Sequence, residues 1–387
     1  MDDSFLKSLD QKYGEKKLKD PDDPEFDILY DTVVNEAEKI IKEYFEKTSP
    51  GAEIWTEDHA HWIATKSIEE LITNDEFLGL HKMETPETPS GVYPAVLEDC
   101  IELWEERKRR SISLAIFEES FGSGKTFKAS ILLWLQWIEL CKYTNPQKHF
   151  NLADDSWIAF MCFSQNEKKA RNVCMTDVWN RFKCPFNRKF FPAMPSLKRE
   201  IRVNRNHSVV YAGTSSELSG IGYHLFGGIL DECNFLDVVE DSKRVSADER
   251  KRYDEAELLC DSVINRMVSR YIRPDGTLPG VLVAISSVRY NKDFTDRKIM
   301  EAKMRGSKSD IFWKRRTTYE AKPVWIFPSK KYFYVDTSTY NEIPEDAALK
   351  YFDVIDTIKN ACIFTDEVIN KLQNKIIEIP DNIILDY

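Results

Sequence analysis

Ser111-Ile112-Ser113-Leu114-Ala115-Ile116-Phe117 is a short apolar run with strand character. It continues into Glu118-Glu119-Ser120-Phe121-Gly122-Ser123-Gly124-Lys125-Thr126, where a stretch of helical length and composition begins and lasts to Tyr143. Strand, glycine-bearing loop and helix in that order are the context in which a chain cradles nucleotide phosphates. Gly122 and Gly124, on either side of Ser123, let backbone N–H groups turn inward, and the helix N-terminus adds partial positive charge. Lys125 is placed to reach the β and γ phosphates of a nucleotide, and Thr126 to offer a hydroxyl to Mg2+. The full pattern has a glycine five residues before Gly124, and Glu119 stands there instead. The alternative is a flexible turn with an exposed lysine; the flanking strand and helix favour the phosphate loop.

Strands and helices alternate onward from this loop. Trp157–Phe163, Ser208–Ala212, Leu225–Leu230 and Gly280–Ser286 read as buried strands, and Gln165–Phe182 and Ala247–Tyr271 as helices. Near-continuous apolar strands between helices predict an α/β fold with a mostly parallel sheet covered by helices on both faces. The strand before Asp231 and Glu232 ends in two adjacent carboxylates, an expensive arrangement unless they bind something. Asp231 is suited to hold Mg2+ through its water shell, and Glu232 to polarise an attacking water. The competing reading is a strand ending in solvated acids. Ser286 and Ser287, at the end of the next apolar strand, are candidates for sensing the γ phosphate and passing its loss onward.

The 387 residues are 42% hydrophobic and 31% charged, which excludes collagenous, low-complexity and wholly disordered chains. The net charge of −11 argues against a chain coated for nucleic acid, but it is unevenly spread. Residues 1–60 hold 8 Lys/Arg against 17 Asp/Glu, whereas residues 160–220 hold 11 against 4. No apolar stretch is long enough to cross a bilayer, and the acidic start does not resemble a signal peptide. Eight scattered cysteines without a Cys-x-x-Cys pair read as reduced thiols. The first ninety residues read as polar helices, and Glu84–Gly91 as a linker or exposed loop. Tyr332–Thr337 reads as a strand, and Ile343–Lys359 and Thr365–Ile377 as helices.

The order FGSGKT, FSQNEKKARN, GGILDE and a strand ending in Ser286-Ser287 resembles the ATPase domain of the large terminase subunit of tailed phages. Asn265–Tyr271 is similar to an Arg-x-x-Ser-Arg-aromatic stretch of that family. The resemblance covers roughly residues 90–340. It implies a RecA-like, ASCE-type P-loop ATPase, using ATP and Mg2+, that pumps double-stranded DNA into a procapsid. Implied partners are the portal protein, the small terminase subunit and further copies in a ring, in the host cytoplasm and without a membrane. On this reading residues 1–90 are an N-terminal helical lid region, 91–320 the ATPase core, and 321–387 a C-terminal lid and linker leading toward a nuclease domain. After Ser287 no strand-borne acid cluster follows, Asp336 being a lone candidate, so nuclease activity is not expected.

Three positions depart from the family. Phe121 replaces an arginine of the phosphate loop, Gly220-Ile221-Gly222-Tyr223 lacks the arginine of a Gly-Leu-Arg-Gly stretch, and no adenine-reading glutamine stands near Tyr93–Leu97. Arg266, Arg270 and Arg289 are therefore the candidates for an arginine finger, each against the alternative of a surface or sheet-packing role. In the basic segment Lys198, Arg199, Arg202 and Arg205, with Trp179, Phe182, Phe186, Phe190 and Phe191 interleaved nearby, read either as a backbone grip on duplex DNA or as a solvated face over a core. His59 and His61 cannot share a helix face as metal ligands. His224 precedes the acidic strand, near the ATP site or in a structural hydrogen bond. Competing function classes are a helicase-like nucleic-acid-dependent ATPase, a nucleotide or metabolite kinase, and a regulatory ATP-binding scaffold.

Overall fold

The structure is a computed structural model that describes residues 52–86, 91–120, 122–165, 169–196, 200–213, 224–239, 253–288, 292–316, 318–323, 325–326, 332–335 and 340–343. Helices α1 (Glu57–Ala64), α2 (Ile68–Thr73) and α3 (Pro94–Arg109) precede strand β1 (Leu114–Glu119) and helix α4 (Lys125–Cys141). Then come α5 (Pro146–His149), β2 (Ile158–Phe163), a π turn (Ala170–Cys174), α6 (Met175–Phe182) and α7 (Pro185–Phe190). Strands β3 (Met194–Ser196), β4 (Glu200–Val203), β5 (Ser208–Gly213) and β6 (His224–Asp231) lead to a small pair, β7 (Val238–Val239) and β8 (Tyr253–Asp254). Helix α8 (Glu255–Tyr271), β9 (Leu282–Ser286), α9 (Phe294–Arg305), β10 (Ile311–Arg316) and α10 (Thr318–Ala321) follow. Strands β11 (Tyr332–Val335) and β12 (Tyr340–Ile343) form an antiparallel pair.

The main sheet has eight strands in the order β10-β1-β9-β6-β2-β5-β4-β3. The first six are mutually parallel and β4 and β3 close one edge antiparallel. Every residue of β1, β2, β5 and β9 is buried, as parallel strands under helices on both faces require. Successive residues of β6 show the two faces: Phe226 meets Tyr271 of α8, and Gly227 lies under Gln136 of α4. A Cβ on Gly227 would fall 2.1 Å from Gln136 Oε1, which accepts the Val281 N–H at 3.0 Å. Between the phosphate-loop strand β1 and the acidic strand β6 lies β9, the RecA-like strand order.

Helix α4 is buried on nearly every side, with Trp134 and Trp137 fully covered. Burial of each indole contributes about 3 kcal/mol. Their N–H groups stay satisfied, donating to Asn187 Oδ1 and Ser208 Oγ, both at 2.8 Å. Ile63, Leu71, Ile72 and Phe77 join the same hydrophobic core, so residues 57–77 pack as one body with the sheet.

Several boundaries differ from expectation. The helix expected over 247–271 starts at Glu255, because Asp254 pairs in β8 and caps the helix by accepting the Glu257 N–H; residues 247–252 lie outside the described set. The helix expected from Gln165 contains the π turn at Ala170–Cys174. Helices α3 and α9 and strands β3, β4 and β10 were not anticipated. Seven cysteines are buried and free, Cys362 lying outside the described residues. Among the described residues no helix is long and apolar enough to cross a membrane. The segments 1–51 and 344–387, including the expected C-terminal helices, also fall outside them.

Candidate phosphate-binding site

The parallel strands deliver Glu119, Ser164, Asp231 and Ser286 to one end of the sheet, the carboxyl end where open α/β sheets bind ligands. At that end Gly124 caps α4 in the left-handed conformation, φ 92°, which only glycine adopts without strain. The turn aims Lys125 back across the strand ends. Its ammonium, almost fully buried, donates to Glu119 O at 3.3 Å, Ser120 O at 3.1 Å and Ser287 Oγ at 2.8 Å, and lies 4.0 Å from Glu232 Oε1.

Asp231 ends β6, and Glu232 follows in the left-handed region at φ 51°, a strained conformation for a glutamate that costs about 1–3 kcal/mol. Burial, reinforced by the Glu232 carboxylate and opposed by Lys125, pushes the Asp231 carboxyl up to about 7. Ser123 Oγ, Asp231 Oδ1 and Glu232 Oε2 are buried atoms with no hydrogen-bond partner. Orphaned buried oxygens are costly unless water, an ion or a ligand completes them. A donor set of ammonium, hydroxyl and two carboxylates fits a phosphate with a divalent cation. Thr126 is half-buried in the first turn of α4.

Behind these residues runs a second layer that was not legible in the motifs. The Asn234 N–H donates to Ser286 Oγ at 3.1 Å, and its Nδ2 donates to Ser287 O at 2.9 Å and Thr295 Oγ1 at 2.8 Å. Thr295 Oγ1 in turn donates to Glu118 Oε2 at 2.6 Å. Burial raises the Glu118 carboxyl above its ordinary range despite Arg315, 2.5 Å away. The phosphate-loop strand, the acid strand and the serine strand are thus joined by one hydrogen-bonded chain.

Glu119, in the place of the missing glycine, extends as the last residue of β1 and is buried. Its carboxylate and that of Asp99 in α3 both pair with the buried Lys128, one turn beyond Lys125. Burial alone lowers the Lys128 pKa, but Glu119 and Asp99 outweigh it and hold it above the usual lysine range. Arg316 of β10 binds the other side of Asp99 at 2.6 Å.

A family model described as the N-terminal P-loop domain of the uncharacterized protein MJ0330 matches residues 39–353. The chain belongs to this P-loop family. No curated protein matches it in sequence. Among solved structures, the P-loop domain is similar to the large terminase of bacteriophage HK97, with 10% identity, a TM-score of 0.42, and coverage of 79% of this chain and 50% of that one. The large terminase of a thermophilic bacteriophage gives 10% identity and a TM-score of 0.36 over 59% of this chain and 47% of that one. The ATPase domain of the Thermus phage P74-26 large terminase gives 10% and 0.33 over 54% and 76%. The chain therefore spans about half the length of the full-length terminases it matches.

Within the P-loop domain the remaining candidates fall in different places. Arg270 stands near the end of α8, and its charge acts on His224, the first residue of β6. Seven residue steps along β6 separate that position from Asp231, about 23 Å of strand. Arg270 is therefore remote from the phosphate loop of its own chain, and Arg266 is one helical turn nearer. His224 accordingly lies far from the site; its carbonyl accepts from Tyr271 Oη at 3.0 Å. Arg289, Lys198, Arg199, Phe121 and residues 220–223 lie outside the described residues.

Arg205 donates to the carbonyls of Glu53, Phe190 and Ala52, tying residues 52–53 to the core. Arg202 pairs with Glu200 at 2.6 Å and sits over the Trp157 ring. Phe182, Phe186, Phe190 and Phe191 are buried, so the aromatic run builds core and not an exposed stacking surface. His59 caps α1 and stacks on Trp55.

Proposed function

We propose that this chain is an ATPase that moves double-stranded DNA, the motor domain of a viral large terminase. The hydrolytic part rests on one observation: Lys125, Ser287 and Glu232 meet within 4.0 Å at the carboxyl end of a RecA-ordered sheet, next to orphaned carboxylate oxygens. The packaging part is supported by the order of FGSGKT, GGILDE and Ser286-Ser287 along the chain. On this reading the motor works as a ring on a portal protein with the small terminase subunit, in the host cytoplasm, and a finger arginine acts on the neighbouring copy.

In the proposed cycle Lys125 exchanges its bonds to Glu119 O, Ser120 O and Ser287 Oγ for phosphate oxygens. Asp231 and Thr126 would hold Mg2+, which would supply neutralisation of the polyphosphate charge. Glu232 Oε2, unpartnered, accepts a hydrogen from the attacking water and orients it. Release of Ser287 by Lys125 loosens the contact that Asn234 and Thr295 carry toward Glu118. A regulatory ATP-binding scaffold is the second reading, favoured by the remoteness of Arg270 from its own phosphate loop.

Glu232→Gln tests the proposal. It should keep AMP-PNP binding and lose ATP turnover by a factor of about 100 or more. Undiminished turnover removes Glu232 from the chemistry. Failure of duplex DNA to alter the wild-type ATPase rate favours the scaffold.

A further inference from the structure

The three arginine candidates leave open which further cation serves the nucleotide within this chain, and the structure supplies one that the motifs do not contain. Strand β10 pairs with β1 out to Arg316 beside Glu119, so the chain leaves β10 alongside the phosphate loop. Helix α10 follows, anchored by the buried Ala321, and the next residue is Lys322. Its Nζ lies 3.4 Å from where a Cβ on Gly122 would stand. Gly122 itself is left-handed at φ 72°, a conformation that favours glycine.

We propose that Lys322 is a second in-chain ligand of the nucleotide polyphosphate, beside Lys125. The other ammonium, that of Lys125, lies against the carbonyls of Glu119 and Ser120. Glu119, the last residue of β1 before the loop, pairs with Lys128. Two cations at one loop favour a polyanion, and a nucleoside triphosphate brings more negative charge than a diphosphate. Because Lys322 belongs to the segment after β10, nucleotide binding also tethers that segment to the core. The inference rests on the phosphate-loop reading above.

The test is calorimetric binding of AMP-PNP and ADP to the full chain, in wild type, Lys322→Met and Lys322→Arg. Loss of a charge-assisted contact is expected to weaken AMP-PNP by about tenfold or more in Lys322→Met, with a smaller loss for ADP and a flatter salt dependence. Lys322→Arg should stay within about threefold of wild type. Equal AMP-PNP affinity in wild type and Lys322→Met overturns the inference. So does an equal loss in both variants, or a lowered nucleotide-free unfolding temperature with unchanged affinity. If wild type binds no AMP-PNP, the phosphate-loop reading itself falls; if it binds and Lys322→Met is unchanged, only the role of Lys322 does.

Discussion

Lys128→Met isolates the electrostatic support behind the phosphate loop. Lys128, Glu119 and Asp99 have side chains no more than 1% exposed, and methionine nearly fills the lysine volume, so the substitution removes charge and leaves little cavity. Asp99 keeps Arg316, whose Nε and Nη2 lie 2.6–3.1 Å from its oxygens. Glu119 loses its pairing with Lys128, and its Oε2 already lacks a partner. Breaking a buried pair on one side costs about 3–5 kcal/mol; with only one of the two carboxylates stranded, about 3 kcal/mol is expected. That is about a fifth to three fifths of the stability of an ordinary domain, about 5–15 kcal/mol. Urea unfolding of the nucleotide-free chain at pH 7.5 measures it, with the slope m checked for constancy. Adding Glu119→Gln removes the stranded charge, and the double variant should regain about 2 kcal/mol. A single-variant loss below about 1 kcal/mol, or a double variant no more stable than the single, refutes the assignment of Glu119 and Lys128 as a coupled buried pair.

Gly228→Ala should destabilise by about 1–3 kcal/mol in the same urea assay, because its Cβ would lie 2.4 Å from Met161 O in the backbone of β2. Asn234→Ala should lower the ATPase kcat several-fold with AMP-PNP affinity little changed, since Asn234 touches Ser286, Ser287 and Thr295 but not the phosphate loop. Burial raises the Glu257 carboxyl, but Lys298 and Arg297 outweigh it and hold it below 4.5. The clamp between α8 and α9 therefore contributes its full stability above pH 4.5 and loses it as pH falls through the depressed value. Thermal unfolding across pH 3–7 should show Glu257→Gln losing part of that acid dependence.

What the sequence made legible is what a short stretch of chain determines by itself. The glycine turn before Lys125, the apolar strand before Asp231 and the strand ending in Ser286 are each local patterns, and the structure brings these residues to one end of the sheet. Their grouping needed only the right-handed parallel arrangement that alternating strands and helices impose.

The residues that were missed, or left between two readings, are those whose partners arrive from far along the chain. Phe186 and Phe190, spaced one helical turn apart among cations, carry the same signature on a DNA-facing helix as in a core. Trp55, Trp62 and Phe77, more than a hundred residues upstream, decide the matter by covering them. Glu119 looked like a defect in a motif because its counter-ion is Lys128, a residue of unremarkable spacing. Lys322 carries no signal of its own; only the pairing of β10 with β1 brings it to Gly122. The sheet's lateral order therefore adds to a local phosphate motif the charges that hold its loop, and Lys322 and Lys128 are where substitutions can separate nucleotide grip from fold.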